Sequence, residues 1–232
     1  MSKKLGILGG MGPLATVDLF KKVVMMTNAT CDQEHIHQII DNNSQIPDRT
    51  LHILGQGEDP TPHLVESAKR LESMGAEFII MPCNTAHYFY DRIVGNIRIP
   101  FLNMVESTAQ FILDELGDGS KVGLLATDGT CQSGVYDKCF ASSGVNLLKP
   151  DKSSQRLVMD FIYGIKEGKD ISARMIYNAM EGLKEQGVEV FILGCTELSY
   201  AMDEYGLEGN FVDPLSIVAK KAVEFAFENK SS

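Results

Sequence analysis

Two of the five cysteines, Cys83 and Cys195, stand in matching surroundings: Cys83 closes the run Phe78-Ile-Ile-Met-Pro-Cys83, and Cys195 closes Val190-Phe-Ile-Leu-Gly-Cys195. Each follows an apolar strand and stands where a helix is expected to begin. Unpaired N–H groups and the positive end of a helix dipole would lower a thiol pKa there. Unassisted, a cysteine is only roughly 3% thiolate at neutral pH. A thiolate facing a thiol is an acid/base couple. With a substrate between them, a proton can leave a carbon on one face and return on the other, inverting a stereocentre. The two titrations should be coupled, because two adjacent thiolates repel. Asn84, Thr85, Thr196 and Glu197 follow the thiols directly. Their side chains offer helix caps and hydrogen bonds to a carboxylate or ammonium group. Cys31, Cys131 and Cys139 lack this setting and are expected to be small core residues.

The elements that must position the thiols come as an internal repeat. Leu71, Gly75, Glu77, Ile80 and Cys83 recur with identical spacing as Leu183, Gly187, Glu189, Ile192 and Cys195. Lys4 to Leu8 echoes Lys121 to Leu125, Gly12 echoes Gly129, and Phe101-Leu-Asn103 echoes Phe211-Val-Asp213. One supersecondary unit has been used twice. Short apolar strands are expected at 5–8, 35–40, 78–81, 101–102, 122–125, 145–148 and 190–193, alternating with helical periods. One period places Leu14, Val17, Phe20 and Val24 on a shared face. Another begins at Thr61-Pro62 and stops at Gly75. The pattern predicts an α/β fold of two pseudo-symmetric lobes, each a mostly parallel sheet flanked by helices, with the site at their interface. The expected lobes are residues 1–103 plus 213–232, carrying Cys83, and 104–212, carrying Cys195. Ligands of parallel sheets bind outside the carboxyl ends of the strands, where both thiols fall.

Composition narrows the partners. The 232 residues carry a formal net charge of -10, with no basic cluster of the kind a nucleic-acid binder needs. No apolar run reaches membrane-spanning length, and the glycine-punctuated start at Leu5 reads as a strand, not a signal peptide. An odd cysteine count without C-x-x-C spacing suggests neither a disulfide framework nor a zinc site, and free thiols fit a reducing cytoplasm. Gly10-Met-Gly12-Pro-Leu-Ala15 matches a dinucleotide fingerprint, with Asp32 or Glu34 downstream. An NAD(P)-dependent oxidoreductase is therefore an alternative, although it leaves the cysteine pair without a role. A tight turn presenting backbone N–H groups to a small carboxylate is the preferred reading. By the repeat, Met11 and Thr127 would then line opposite sides of the cleft.

Gly9-Gly-Met-Gly-Pro13, Ile46-Pro-Asp-Arg49, Met81 to His87 and Leu193 to Glu197 resemble the motifs of the aspartate/glutamate racemase family, nearly end to end. The resemblance implies racemisation of an acidic amino acid, aspartate or glutamate, with the two cysteines as proton donor and acceptor. It further implies no pyridoxal phosphate, no metal, and usually a homodimer. Glu197 in place of a histidine, and Gly10-Met11-Gly12 in place of Ser-Gly, are similar to the aspartate branch. There the residues matching Arg49 and Lys166 hold the side-chain carboxylate, as guanidinium and ammonium groups suit. Gln45, in the same polar loop as Arg49, could add an amide donor. Read locally, Arg49 could instead pair with Asp48, and Lys166 could be a solvated helix-end residue. His87 is a candidate supporting residue. A cysteine-dependent dicarboxylate isomerase or decarboxylase, and an inactive small-molecule binding protein, complete the alternatives.

Overall fold

The computed structural model of the protein describes residues 2–228. Its seven strands are β1 (Leu5–Gly9), β2 (Gln38–Asn42), β3 (Phe78–Ile80), β4 (Lys121–Ala126), β5 (Asn146–Leu148), β6 (Val190–Gly194) and β7 (Phe211–Val212). They form two wholly parallel sheets, ordered β2-β1-β3 and β5-β4-β6-β7. A parallel bridge between Ile79 and Phe101 extends the first sheet where β7 extends the second, so the two strand orders coincide. β1 and β6 are buried along their whole lengths, as expected of parallel strands covered by helices on both faces. Equivalent helix starts are also capped alike. The Asn103 side chain accepts from the N–H groups of Val105 and Glu106, and Asp213 accepts from Leu215 and Ser216.

These two capped helices exchange sides. Helix Met104–Leu116 packs Val105, Ala109 and Ile112 against β4 and β6, whereas helix Pro214–Phe227 packs Leu215, Val218 and Ala222 against β1 and β3. We propose lobes of residues 1–103 plus 213–232 and of residues 104–212, with the chain crossing between the sheets at these two helices. Met1 and residues 229–232, which fall in the first of those lobes, lie outside the described residues. Among the described residues no helix is long and apolar enough to cross a membrane.

Three local expectations are corrected. The second strand is Gln38–Asn42 rather than 35–40, because Leu5 and Gly9 of β1 pair with Gln38 and Asn42, and a single 3-10 turn precedes it at Asp32–Glu34. Residues 101–102 contribute only the bridge at Phe101. Helix Pro13–Met26 buries Ala15, Thr16, Leu19 and Val23, while Leu14, Val17 and Phe20 are 52%, 62% and 41% exposed. Apolar residues surround most of that helix, so periodicity alone could not choose its inner face.

Candidate active site

Both thiols follow strand ends, but their settings differ. Cys195 is the N-cap of helix Thr196–Tyr205, directly after β6. Cys83 precedes a 3-10 turn, Thr85–Phe89, and its N–H bonds back to the Met81 carbonyl. Cys83 and Cys195 are both buried and line one small cleft with Met11, Asn84, Thr85, Thr127, Thr196 and Glu197. The cleft holds about 10 Å³, room for roughly one water. Arg49, Lys166, Asp48, Met11, Thr196 and Glu197 also form a wall of a neighbouring cavity of about 440 Å³, which the glycine turn at 10–12 borders. The cleft and the outer cavity thus adjoin at Arg49 and Lys166.

The repeat-related glycines let the lobes meet here. A Cβ on Gly129 would stand 2.7 Å from Thr50 Oγ1 and 3.0 Å from Thr85 Cγ2 of the first lobe. A Cβ on Gly12 would stand 3.4 Å from Glu197 Oε1 of the second. Hydroxyls also cross the junction. Thr85 Oγ1 lies 3.0 Å from Thr127 Oγ1 and 2.8 Å from Thr130 Oγ1, and Thr196 Oγ1 donates to the Pro82 carbonyl at 3.4 Å.

Charge is distributed unevenly. Cys195 Sγ donates to Glu197 Oε2 at 2.9 Å, and Lys166 Nζ lies 3.7 Å from Glu197 Oε1. Burial, reinforced by the Glu197 carboxylate, holds the Cys195 thiol well above its ordinary range. The expectation that the helix N-terminus would lower this pKa is thus overturned: desolvation and a neighbouring anion outweigh the dipole. Burial alone would lower Lys166, but attraction to Glu197 wins and raises it, keeping the ammonium charged.

Arg49 begins helix Arg49–Ile53, and its Nη1 donates to the carbonyls of Ile46 at 3.1 Å and Pro47 at 2.8 Å. Asp48 instead caps that helix through Leu51 N–H. The Asn84 Oδ1 accepts from Tyr136 O–H at 2.6 Å. Asn84 Nδ2 and Arg49 Nε are buried donors without partners among the described residues. Unmet buried donors are costly, and a bound anion would satisfy them.

Of the site residues expected from sequence, only Gln45 is not brought to the cleft or its outer cavity. The Asn43 side chain takes the Gln45 N–H and turns the loop, so Gln45 is exposed and Ser44 and Ile46 reach the wall instead. Asp48 and Ile165 also line the cavity, unforeseen in the sequence, where Asp48 read only as an ion-pair partner. Cys31 is exposed, and Cys131 and Cys139 are half-buried, so none of the three is a core residue as expected. Burial pushes the Cys131 thiol up to about 12.

A model of the Asp/Glu/hydantoin racemase family matches residues 8–222. The chain belongs to that family. It superposes on the aspartate racemase of Picrophilus torridus with a TM-score of 0.82 at 32% identity, covering 95% of this chain and 94% of that one. An aspartate racemase homologue of Pyrococcus horikoshii gives a TM-score of 0.74 at 25% identity, with 97% and 99% covered. A broad-specificity amino-acid racemase of Bacillus subtilis is 27% identical over 226 residues, 94% of this chain and 96% of its own. Two lobes, each with a parallel sheet flanked by helices, are thus a racemase architecture, and the chain is an enzyme of the racemase family.

His87, beside the site, is fully buried and lowered to about 4 by desolvation, against which a bond to the Cys83 carbonyl works only partly. Its native form is neutral, while the unfolded chain binds a proton below about pH 6.5. The stabilising contribution is therefore complete above about 6.5 and is lost as pH falls toward 4, in all on the order of 3 kcal/mol. Urea unfolding from pH 7 to 4 should show this loss, and His87→Gln should flatten that part of the profile. An unchanged slope in the variant would contradict the assignment.

Proposed function

We propose that this enzyme racemises an acidic amino acid, aspartate or glutamate, without a cofactor, by passing protons through Cys83 and Cys195. The observation that carries this reading is the single cleft lined by both thiols and by two cations, Arg49 and Lys166. One thiolate removes the Cα proton. The electron pair moves into the α-carboxylate, and the opposing thiol delivers its proton to the other face. The reverse reaction uses the thiols with roles exchanged. In the resting enzyme Cys195, hydrogen-bonded to Glu197, is held as the thiol. Asn84 Nδ2, Thr85, Thr127 and Thr196 are suited to the amino-acid head, Arg49 and Lys166 to the side-chain carboxylate, and Met11 to the apolar wall. The same reading includes a homodimer, supported by the exposed apolar face of Leu14, Val17 and Phe20.

A broader amino-acid scope is the second reading. Glu197 already neutralises Lys166, Asp48 adds a second carboxylate to the cavity wall, and the Bacillus subtilis relative is named for broad specificity. Incubation with single L-amino acids followed by chiral chromatography tests both. Aspartate or glutamate should racemise at least about tenfold faster than neutral amino acids, as about 1.4 kcal/mol of charge-assisted recognition provides. Comparable rates on neutral side chains would favour the broader scope, and inversion of no amino acid would defeat both readings.

A further inference from the structure

His87 joins the two lobes immediately behind one thiol. Its Nδ1 lies 2.7 Å from the Cys83 carbonyl oxygen, and its Nε2 lies 3.1 Å from the Met104 N–H. Only one neutral tautomer serves both contacts: Nδ1–H donates to Cys83, and Nε2 accepts from Met104. Met104 opens helix Met104–Leu116; its own side chain packs with β1 and β3, and from Val105 onward the helix packs on the sheet that carries Cys195. Asn103 caps the next two N–H groups of that helix, so His87 supplies the partner that the Met104 N–H otherwise lacks. The ring is held in place by Tyr90, stacked at a centroid distance of 6.2 Å, and by the edge contact with Phe101 at 6.5 Å. The Tyr90 hydroxyl donates separately to the Phe101 carbonyl. Cys195, by contrast, is held by Glu197 within its own helix turn.

We propose that His87 is a positioning residue: it ties the Cys83 backbone to the first turn of the opposite lobe's helix, and so sets where Cys83 stands relative to Cys195. The inference rests on the two-thiol reading of the site, but its test does not require turnover. The native protein is treated with iodoacetamide, and modification of Cys83 and Cys195 is followed separately by peptide mass spectrometry. In His87→Phe, which keeps a ring but removes both bonds, Cys83 alkylation should quicken at least fivefold while Cys195 stays within twofold. His87→Asn, which keeps a donor near the Cys83 carbonyl but does not reach Met104, should give an intermediate ratio and serves if the phenylalanine variant does not fold. Tyr90→Phe loosens the same neighbourhood without touching either His87 bond, and should leave the ratio of the two rates at its wild-type value. Equal acceleration of both thiols in the His87 variants, or no change in either, would overturn the positioning role. Should no amino acid be racemised, a selective change at Cys83 would still uphold it, and only the functional reading would fall.

Discussion

Replacing Cys83 or Cys195 with alanine is expected to lower racemisation on the order of 10³-fold or more, because each change deletes one of two obligatory proton carriers. Partial activity should survive in a form that identifies the missing face. With one thiol left, a Cα proton can still be removed from one enantiomer and replaced by a solvent deuteron on the same side. Cys83→Ala and Cys195→Ala should therefore retain deuterium exchange with opposite enantiomers, read by mass spectrometry of recovered substrate. The two variants should also differ in pH dependence. The Cys195 thiol is held high by burial and by Glu197. Exchange by Cys83→Ala, which depends on Cys195 alone, should keep rising through the alkaline range. Exchange of the same enantiomer by both variants, or near-normal racemisation by either, would defeat the assignment of opposing faces.

The second large effect is expected at Lys166. Lys166→Met removes the cation 3.7 Å from Glu197, and Glu197 is itself buried. Loss of a charge-assisted contact to the substrate should cost about 1.5–3 kcal/mol, roughly 10- to 150-fold in kcat/KM on an acidic substrate. The Glu197 carboxylate would be left beside Cys195 without its counter-ion, raising that thiol further and slowing even neutral substrates. Glu197→Gln in the Lys166→Met background should recover part of the loss, since it removes the uncompensated anion. Unchanged kcat/KM on both aspartate and glutamate in Lys166→Met would show that the ammonium group does not contact the substrate.

The sequence made the duplicated scaffold readable, because each copy spaces its apolar strand, turn glycine and cysteine identically. The equal strand orders and the matched caps Asn103 and Asp213 follow from that spacing. Less accessible was anything decided by packing. Helix Pro13–Met26 is apolar on most sides, and only the fold shows that Leu19 and Val23 face inward while Val17 does not. Gln45 and its neighbours Ser44 and Ile46 share one polar loop, and a turn made by Asn43 selects which reach the cavity. Asp48 gave no local signal beyond its reading as an ion-pair partner of Arg49. The direction of the Cys195 shift was misjudged because a helix N-terminus is visible in sequence, whereas the depth of burial and the approach of Glu197 are not.

Isotope placement in the first turnovers tests the two-thiol account most directly. The unmodified enzyme is given L-aspartate, or whichever L-amino acid it racemises fastest, in deuterium oxide, and both enantiomers are recovered early. A thiol carries one proton and exchanges it with solvent. The D-enantiomer formed should therefore carry one deuterium at Cα, while the remaining L-enantiomer stays protiated. Deuterium washing into unreacted L-substrate as fast as product appears, or product that retains the original protium, would mean that a single group serves both faces, and would contradict the opposed pair of Cys83 and Cys195.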